Sequence, residues 1–418
     1  MKIGYIMQEG GPDVRQVPLT GPARHVLRVF QELQRLGHDV RLLARYKGVL
    51  LRSDDLVAYT PVAPTRVDGG WRRSVERAVR GLQSRLRVPY FNYFESLRFA
   101  AACEAELSDR DVLFERLGWM GLAGGLAARR LRIPLVGEVN NGDFVTELDR
   151  LGTGPTGLQR PLAIAAMRRA VGRVDRFVAT GDGHRDRFIE YWNVAPDSIV
   201  TVENGSELVD GLGRDDLASF ARPLDPSAPV TFVFVGAFEP WHGILILLAA
   251  IRRFRERVPR FRLVLIGSGT LEAQIRAYVA EHRLDDVVQM TGQLDLEAAG
   301  RILATSDVGL APYCGWMEFS GLKLFDYKAA GLAIVASGER GRPATLSHGH
   351  TALVVPPCSE DALVAALERV AGDAELRRAL GQAARADAEQ HNSWRHTARQ
   401  IEAVLQAAVA ARSRTRHP

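Results

Sequence analysis

Cysteine is scarce in this chain of 418 residues: there are three, Cys103, Cys314 and Cys358, far apart and odd in number. They suggest neither a disulfide framework nor zinc-ligand spacing, and incidental thiols in a reducing cytoplasm are the simplest reading. Long apolar runs are absent too. The longest, GILILLAAI at 243–251, is far below the ~18 residues that a membrane-spanning helix requires. The opening MKIGYIMQEGG turns polar and glycine-rich after a few apolar residues, too soon for a secretory signal and suited to a buried first strand. Stacking aromatics and a recognised nucleic-acid module are missing, so the formal charge of +5 and the pI of about 9.3 do not read as a nucleic-acid footprint. Much of the positive excess lies in WRRSVERAVRGLQSRLR (71–87) and the terminal ARSRTRHP. These are either a solvated helix and a frayed tail or a surface for anionic lipid headgroups.

The chain is too long for one hydrophobic core and suits two domains of roughly 200 residues. KIGYIM (2–7) reads as a buried strand followed by Gly10-Gly11. Thr20 and Pro22 open a helix that Gly37 ends, and DVRLLA (39–44) is the next strand. This βαβ order recurs through DVLFER (111–116), IPLVGEV (133–139), RFVAT (176–180) and SIVTVENG (198–205). After a proline-rich linker, FARPLDPSAP (220–229), a second set begins with PVTFVFVGAF (229–238). It continues through FRLVLIGSG (261–269), VVQMTG (287–292), DVGLAPY (307–313), AIVAS (333–337) and ALVVPP (352–357). The expected fold is α/β, two Rossmann-like doubly wound domains: 1–215, 225–395, and a C-terminal helix at 396–418 returning toward the first. Ligands in such sheets bind beyond the carboxyl ends of the strands. The loops at Gly10-Gly11, 140–143, 236–242, 267–269, 292–294 and 314–321 are thus expected around one interdomain cleft.

One stretch carries unusual chemistry. EFSGLKLFDYKAAG (318–331) places Glu318 before a helix, Ser320, Gly321 and Lys323 at its start, and Asp326 one turn inside. A helix start with Ser320 as cap offers the amides of Gly321 and Leu322 to phosphate, and Lys323 adds a full charge. Asp326 suits a vicinal diol such as ribose, and Glu318 reaches the other flank. A plain capping residue with an intrahelical Lys–Asp pair explains the same letters.

The stretch resembles the motif of retaining glycosyltransferases of the GT-B fold, specifically glycosyltransferase family 4. Further blocks fit in order: VENGSE (202–207), VGAFEPWHG (235–243), LIGSGTLEAQI (265–275), MTGQL (290–294) and SDVGLAPY (306–313). The resemblance implies a nucleotide-diphosphate sugar as co-substrate, UDP- or GDP-linked, held mainly by the C-terminal domain. It implies a hydroxyl acceptor on the N-terminal domain, transfer with retention, and no metal or further cofactor. On that resemblance Glu318 contacts donor-sugar hydroxyls, Asp326 the ribose, and Leu322 and Lys323 the diphosphate. Gly10, Gly11, Gly236 and Gly267 bring backbone close to the donor, and Gly292 and Gln293 lie near the base. EVNNGDFVTE (138–147) is similar to an acceptor-side loop, so Glu138, Asn140 and Asn141, with Arg116, are acceptor-side groups; Asp143 is the one nearby carboxylate for a covalent double displacement.

Two departures stand out. The second acid of the motif is normally Glu and here is Asp326. The loop after the VG strand, where the family often carries Arg and Lys, holds Ala237 and His242. Lys323 is the residue that can compensate. Elsewhere, His25 reads as a phosphate contact or a half-exposed helix residue, His184 as a base or a cap, and Trp241 as a pocket wall or packing. A nucleotide-sugar epimerase or hydrolase of the same fold, or a non-catalytic nucleotide-sugar-binding scaffold, is the alternative to a transferase. The basic helix leaves room for peripheral contact with an anionic membrane at its inner face.

Overall fold

The computed structural model describes residues 1–8, 12–17, 19–63, 65, 69, 71–85, 93–140, 142–157, 159–210, 228–314, 321–339 and 343–414, with 71, 72 and 210 by backbone alone. The chain divides into two compact units, Met1–Val202 with Ala398–Pro418, and Glu203–Thr397. The change of unit comes at Val202, ahead of the boundary read at 215. The reason is local: buried Leu208 packs in the same cluster as Leu324 and Ile334 of the second unit, and the Ser206 hydroxyl donates to Asp326 at 2.6 Å. Most of the linker read at 220–229 lies outside the described residues.

In the first unit, β1 (Lys2–Met7), β2 (Asp39–Tyr46), β3 (Val49–Ser53), β4 (Thr60–Pro61), β5 (Val112–Arg116), β6 (Leu135–Val139), β7 (Arg176–Ala179) and β8 (Ile199–Thr201) form one sheet. Their order is β4-β3-β2-β1-β5-β6-β7-β8. The pairs β2–β3 and β3–β4 are antiparallel; every other pair is parallel. Continuous apolar runs suit strands covered on both faces, and β1 is buried along nearly its whole length. From the other end of the chain, Ile401 and Leu405 are buried in the final helix, Trp394–Arg414, and Glu402 pairs with His38 Nε2 at 3.0 Å.

The helix Ala123–Leu131 has Leu122 at its cap position, a residue unable to accept its first amides. Distant side chains do so instead. Gln8 Oε1 accepts from the Ala123 amide at 2.8 Å, and Glu115 accepts from Gly124. Gly124 is required there, because a Cβ would stand 2.0 Å from Glu115 Oε2. Burial pushes the Glu115 carboxyl up to about 8. Such a group is neutral in both folded and unfolded chains at low pH. It weakens the fold as pH rises from the ordinary Glu range toward 8, because only the unfolded chain ionises freely. Glu115→Gln is therefore expected to match the parent near pH 5 and to be more stable by up to about 4 kcal/mol near pH 8. Urea denaturation at both pH values measures this. A stability difference that does not change with pH would mean Glu115 is ionised in the fold.

In the second unit β9 (Val230–Val235), β10 (Phe261–Ile266), β11 (Val288–Gly292), β12 (Val308–Ala311), β13 (Ala333–Ser337) and β14 (Leu353–Val355) form an all-parallel sheet in the order β11-β10-β9-β12-β13-β14. One face carries Phe232, Phe254 and Phe261, whose rings meet edge to face at 5.0–6.1 Å. Each such ring, fully buried, contributes roughly 1.5–3 kcal/mol. On the other face Gly309 of β12 admits the Tyr327 ring, which a Cβ would meet at 2.5 Å. The Tyr327 hydroxyl accepts from the Val235 amide at 2.8 Å and donates to the Leu310 carbonyl at 3.1 Å. That pins the helix Leu322–Ala329 beneath the ends of β9 and β12.

Candidate functional site

In the second sheet the chain winds outward from β9 through β10 to β11, then returns to the other side of β9 at β12. The crevice at the β9/β12 carboxyl ends is thus a topological switch point, where open α/β sheets bind ligands. Gly236 ends β9, and its φ of +145° lies in the region open to glycine. The glycine ends interlock: the Gly236 amide donates to Ile266 O at 3.0 Å and the Gly267 amide to Gly292 O at 2.8 Å. A Cβ on Gly267 would stand 1.9 Å from Gly236 O, so Gly267 serves backbone packing. Gly292, at φ +73°, has open space where a Cβ would be, and Gln293 beside it is exposed.

The helix Leu322–Ala329 supplies the charge. Its cap position is Gly321, with no side chain to cap it; Ser320 and Glu318 lie outside the described residues, as do Gly10, Gly11 and Asn141. Lys323 is buried, its Nζ 4.4 Å from the Phe234 ring centroid and 4.9 Å from that of Tyr313. That ammonium stands 2.9 Å from where a Cβ on Gly236 would be. His242 closes the same corner from the turn Pro240–His242, its Nδ1 bonded to the Ala237 carbonyl. Burial and then the nearby Lys323 ammonium push its pKa down to about 3, so the ring is neutral. Trp241 contributes its carbonyl to the Cys314 amide at 3.2 Å. Asp326 is buried one turn along the helix and accepts the Ser206 hydroxyl.

The cysteine reading needs correction. Cys314 and Cys358 form a disulfide, with Cα atoms 4.7 Å apart, and Cys103 is a free, buried thiol. The bridge joins the segment after β12 to the one after β14, 44 residues on. Three widely spaced cysteines gave no signal for it, because pairing is a property of the fold.

In the first unit β1 and β5 flank the equivalent switch point. Glu138, at the end of β6, is fully buried. It receives His25 Nε2 at 2.6 Å, Asn140 Nδ2 at 3.1 Å and Arg116 at 3.3 Å. Burial pushes its carboxyl up, but His25, Arg116 and Asn140 outweigh it and hold the group at about 2. His25 is therefore an interior partner of Glu138, not a half-exposed helix residue, and Arg116 is anchored by an ion pair. Asp143 accepts the Thr146 amide at 2.6 Å and hydroxyl at 2.8 Å. Both of its oxygens are thus engaged within its own turn. His184 is buried, with its pKa lowered to about 4 by desolvation and by Arg187. Its Nδ1 accepts the Gly142 amide at 3.0 Å. Gly142 and Phe144 both have positive φ, so this imidazole braces a strained loop.

On the basic helix Trp71–Arg85, Arg80 pairs with Glu76 and with Glu95, each at 2.9 Å. Val75 and Leu82 are exposed beside it. No helix among the described residues is long and apolar enough to cross a membrane. Nor is there, among them, a group of three or more side chains that could hold a metal ion.

Comparison with known proteins agrees with this geometry. Residues 217–387 match the family described as Glycosyl transferases group 1, and residues 20–205 match the Glycosyl transferase 4-like domain. A D-inositol 3-phosphate glycosyltransferase of Saccharomonospora viridis is 27% identical over 72% of this chain and 71% of its own length. A phosphatidyl-myo-inositol mannosyltransferase of Mycolicibacterium smegmatis is 32% identical over 48% of this chain and 52% of its own. Among solved structures, Anabaena HepE in complex with UDP aligns at a TM-score of 0.68 and 16% identity, covering 97% of this chain and 100% of that one. The sucrose-phosphate synthase of Thermosynechococcus elongatus aligns at 0.69 and 19% identity, covering 98% of this chain and 100% of its own. Two parallel-sheet α/β units with these neighbours define the GT-B fold. The chain belongs to glycosyltransferase family 4, the glycosyl transferases group 1.

Proposed function

We propose that the second unit holds a nucleotide-diphosphate sugar, UDP- or GDP-linked, and that its sugar passes with retention, and without a metal or other cofactor, to an acceptor hydroxyl on the first unit. The observation that carries this reading is the meeting of Lys323, Gly236 and His242 at the β9/β12 switch point. A buried ammonium beside a residue with no Cβ suits a diphosphate, whose departure it would favour electrostatically. Asp326, one turn inward, suits ribose hydroxyls, and Glu318 suits the donor sugar. HepE in complex with UDP-glucose supports the donor class. The inositol phosphate and phosphatidylinositol substrates in the relatives' names support a polyol or lipid-linked acceptor near Arg116, Glu138 and Asn140. A lipid-linked acceptor would bring the exposed arginines of Trp71–Arg85 to an anionic membrane surface.

A thermal-shift screen of UDP- and GDP-sugars, followed by mass analysis of products with polyol and lipid acceptors, tests the reading. Within it, Glu318→Gln should lower the transfer rate at least ten-fold more than nucleoside-diphosphate affinity (about ten-fold being the usual scale for one lost transition-state contact). Equal loss of both would detach Glu318 from the sugar. Free or isomerised sugar formed at full rate without acceptor would instead indicate an epimerase or hydrolase. Binding without any product would indicate a scaffold.

A further inference from the structure

The family's usual loop cations are replaced here by Ala237 and His242, and His242 meets Lys323 across Gly236. Its Nδ1 bonds the Ala237 carbonyl. A carbonyl only accepts, so Nδ1 carries the hydrogen, and Nε2 of the neutral ring is left with a lone pair. The ring's Cε1 edge, next to Nε2, comes within 3.8 Å of where a Cβ on Gly236 would stand, and Lys323 Nζ is 2.9 Å from the same point. Imidazole edge and ammonium therefore converge on one spot, walled by the Phe234 and Tyr313 rings.

A phosphate oxygen, like Nε2, only accepts. The two can bond only if a proton comes between them. A sugar diphosphate diester brings two negative charges and no proton of its own near neutral pH. We propose that the nucleotide sugar binds together with one proton from solvent, taken up at His242 Nε2, so that the second cation of this pocket exists only while the donor is present. The inference rests on the donor reading above and deepens it.

The electrostatics agree. Without an anion, burial and then Lys323 keep the imidazole neutral. Two negative charges within about 5 Å, at an effective dielectric of about 20, are sufficient to carry it back above neutrality. Among the described residues, the charged or titratable groups facing the ring are Lys323 from the helix and Tyr313 from the segment after β12. β9 presents only Phe234. On the ring's own loop, Glu239 is turned to Thr270, whose hydroxyl donates to it at 2.7 Å.

The test is calorimetric titration of the full chain with UDP-glucose and with GDP-mannose near neutral pH, in MOPS, imidazole and Tris. The slope of apparent enthalpy against buffer ionisation enthalpy counts protons taken up. We expect roughly one half to one proton per bound ligand for the parent. His242→Gln should bind about ten-fold more weakly with a slope near zero. His242→Lys, which keeps a cation and removes the titration, should bind with a slope near zero as well, and it remains informative if glutamine packs poorly. Binding by the parent with no proton uptake, or an unchanged slope in His242→Gln, overturns the inference while leaving the donor reading intact. Failure of both nucleotide sugars to bind the parent overturns the donor reading and this inference with it.

Discussion

Lys323→Met is expected to lower kcat/KM for the nucleotide sugar by about 100-fold, the usual scale for removing one preorganised charge from a developing oxyanion. Methionine keeps an unbranched stem between the Phe234 and Tyr313 rings, so the pocket walls retain their spacing and only the charge goes. The family's loop Arg and Lys are Ala237 and His242 here, and among the described residues Lys323 is the permanent cation placed beside Gly236. Its loss should therefore cost more than removal of one charge from a pocket that has several. Steady-state kinetics together with nucleoside-diphosphate calorimetry measure the effect. A loss below about three-fold, within what a surface charge change produces, would place the diphosphate elsewhere.

Lys328, five residues along the same helix, should behave in the opposite way, with a large effect on stability and a small one on chemistry. Its ammonium is buried among the Asn392 side chain at 2.6 Å, the Thr345 hydroxyl at 3.1 Å and carbonyl at 3.3 Å, and the Asp387 carboxylate. Asn392 is itself fully buried. Lys328→Met leaves these acceptors unanswered, which costs on the order of 3–5 kcal/mol. The loss also has a pH signature. Burial pushes the Asp387 carboxyl up, but Lys328 and His391 outweigh it and hold it below the ordinary Asp value. The pair's contribution is thus present above that value and lost as pH falls through the folded one. Chemical denaturation at neutral pH should show the full deficit, which should narrow in acid by the Asp387 share while the part due to Asn392 and Thr345 persists.

These two lysines mark what the sequence could and could not reveal. Both fall within EFSGLKLFDYKAAG, and the letters say that this helix is no ordinary surface helix. They do not say that Lys323 and Lys328 serve different sides of it. That depends on Gly236, which lies far off along the chain and reaches Lys323 only because β9 and β12 are neighbours in the sheet. The parallel strands were legible because each is an apolar run too short for anything else. β3 and β4 were not, since VLLRS and a two-residue bridge at the sheet edge carry little pattern. The helix Leu296–Ala304 was not read, although Asp295, which accepts from the Ala298 amide, marks its start. His25 read as a phosphate contact or a half-exposed helix residue because Glu138, its interior counterpart, is 113 positions away. The Cys314–Cys358 bridge was invisible for the same reason.

The final helix, Trp394–Arg414, has a practical consequence. It starts in the second unit, and from Ala398 onward it belongs to the first. The polypeptide therefore changes unit twice, and a protease nick anywhere in 211–227 would not yield two self-sufficient halves. The N-terminal fragment would lack a segment of its own interior, including Ile401 and Leu405, while the other fragment carried that segment as an appendage. Such nicked material should co-elute under native conditions and come apart only in denaturant.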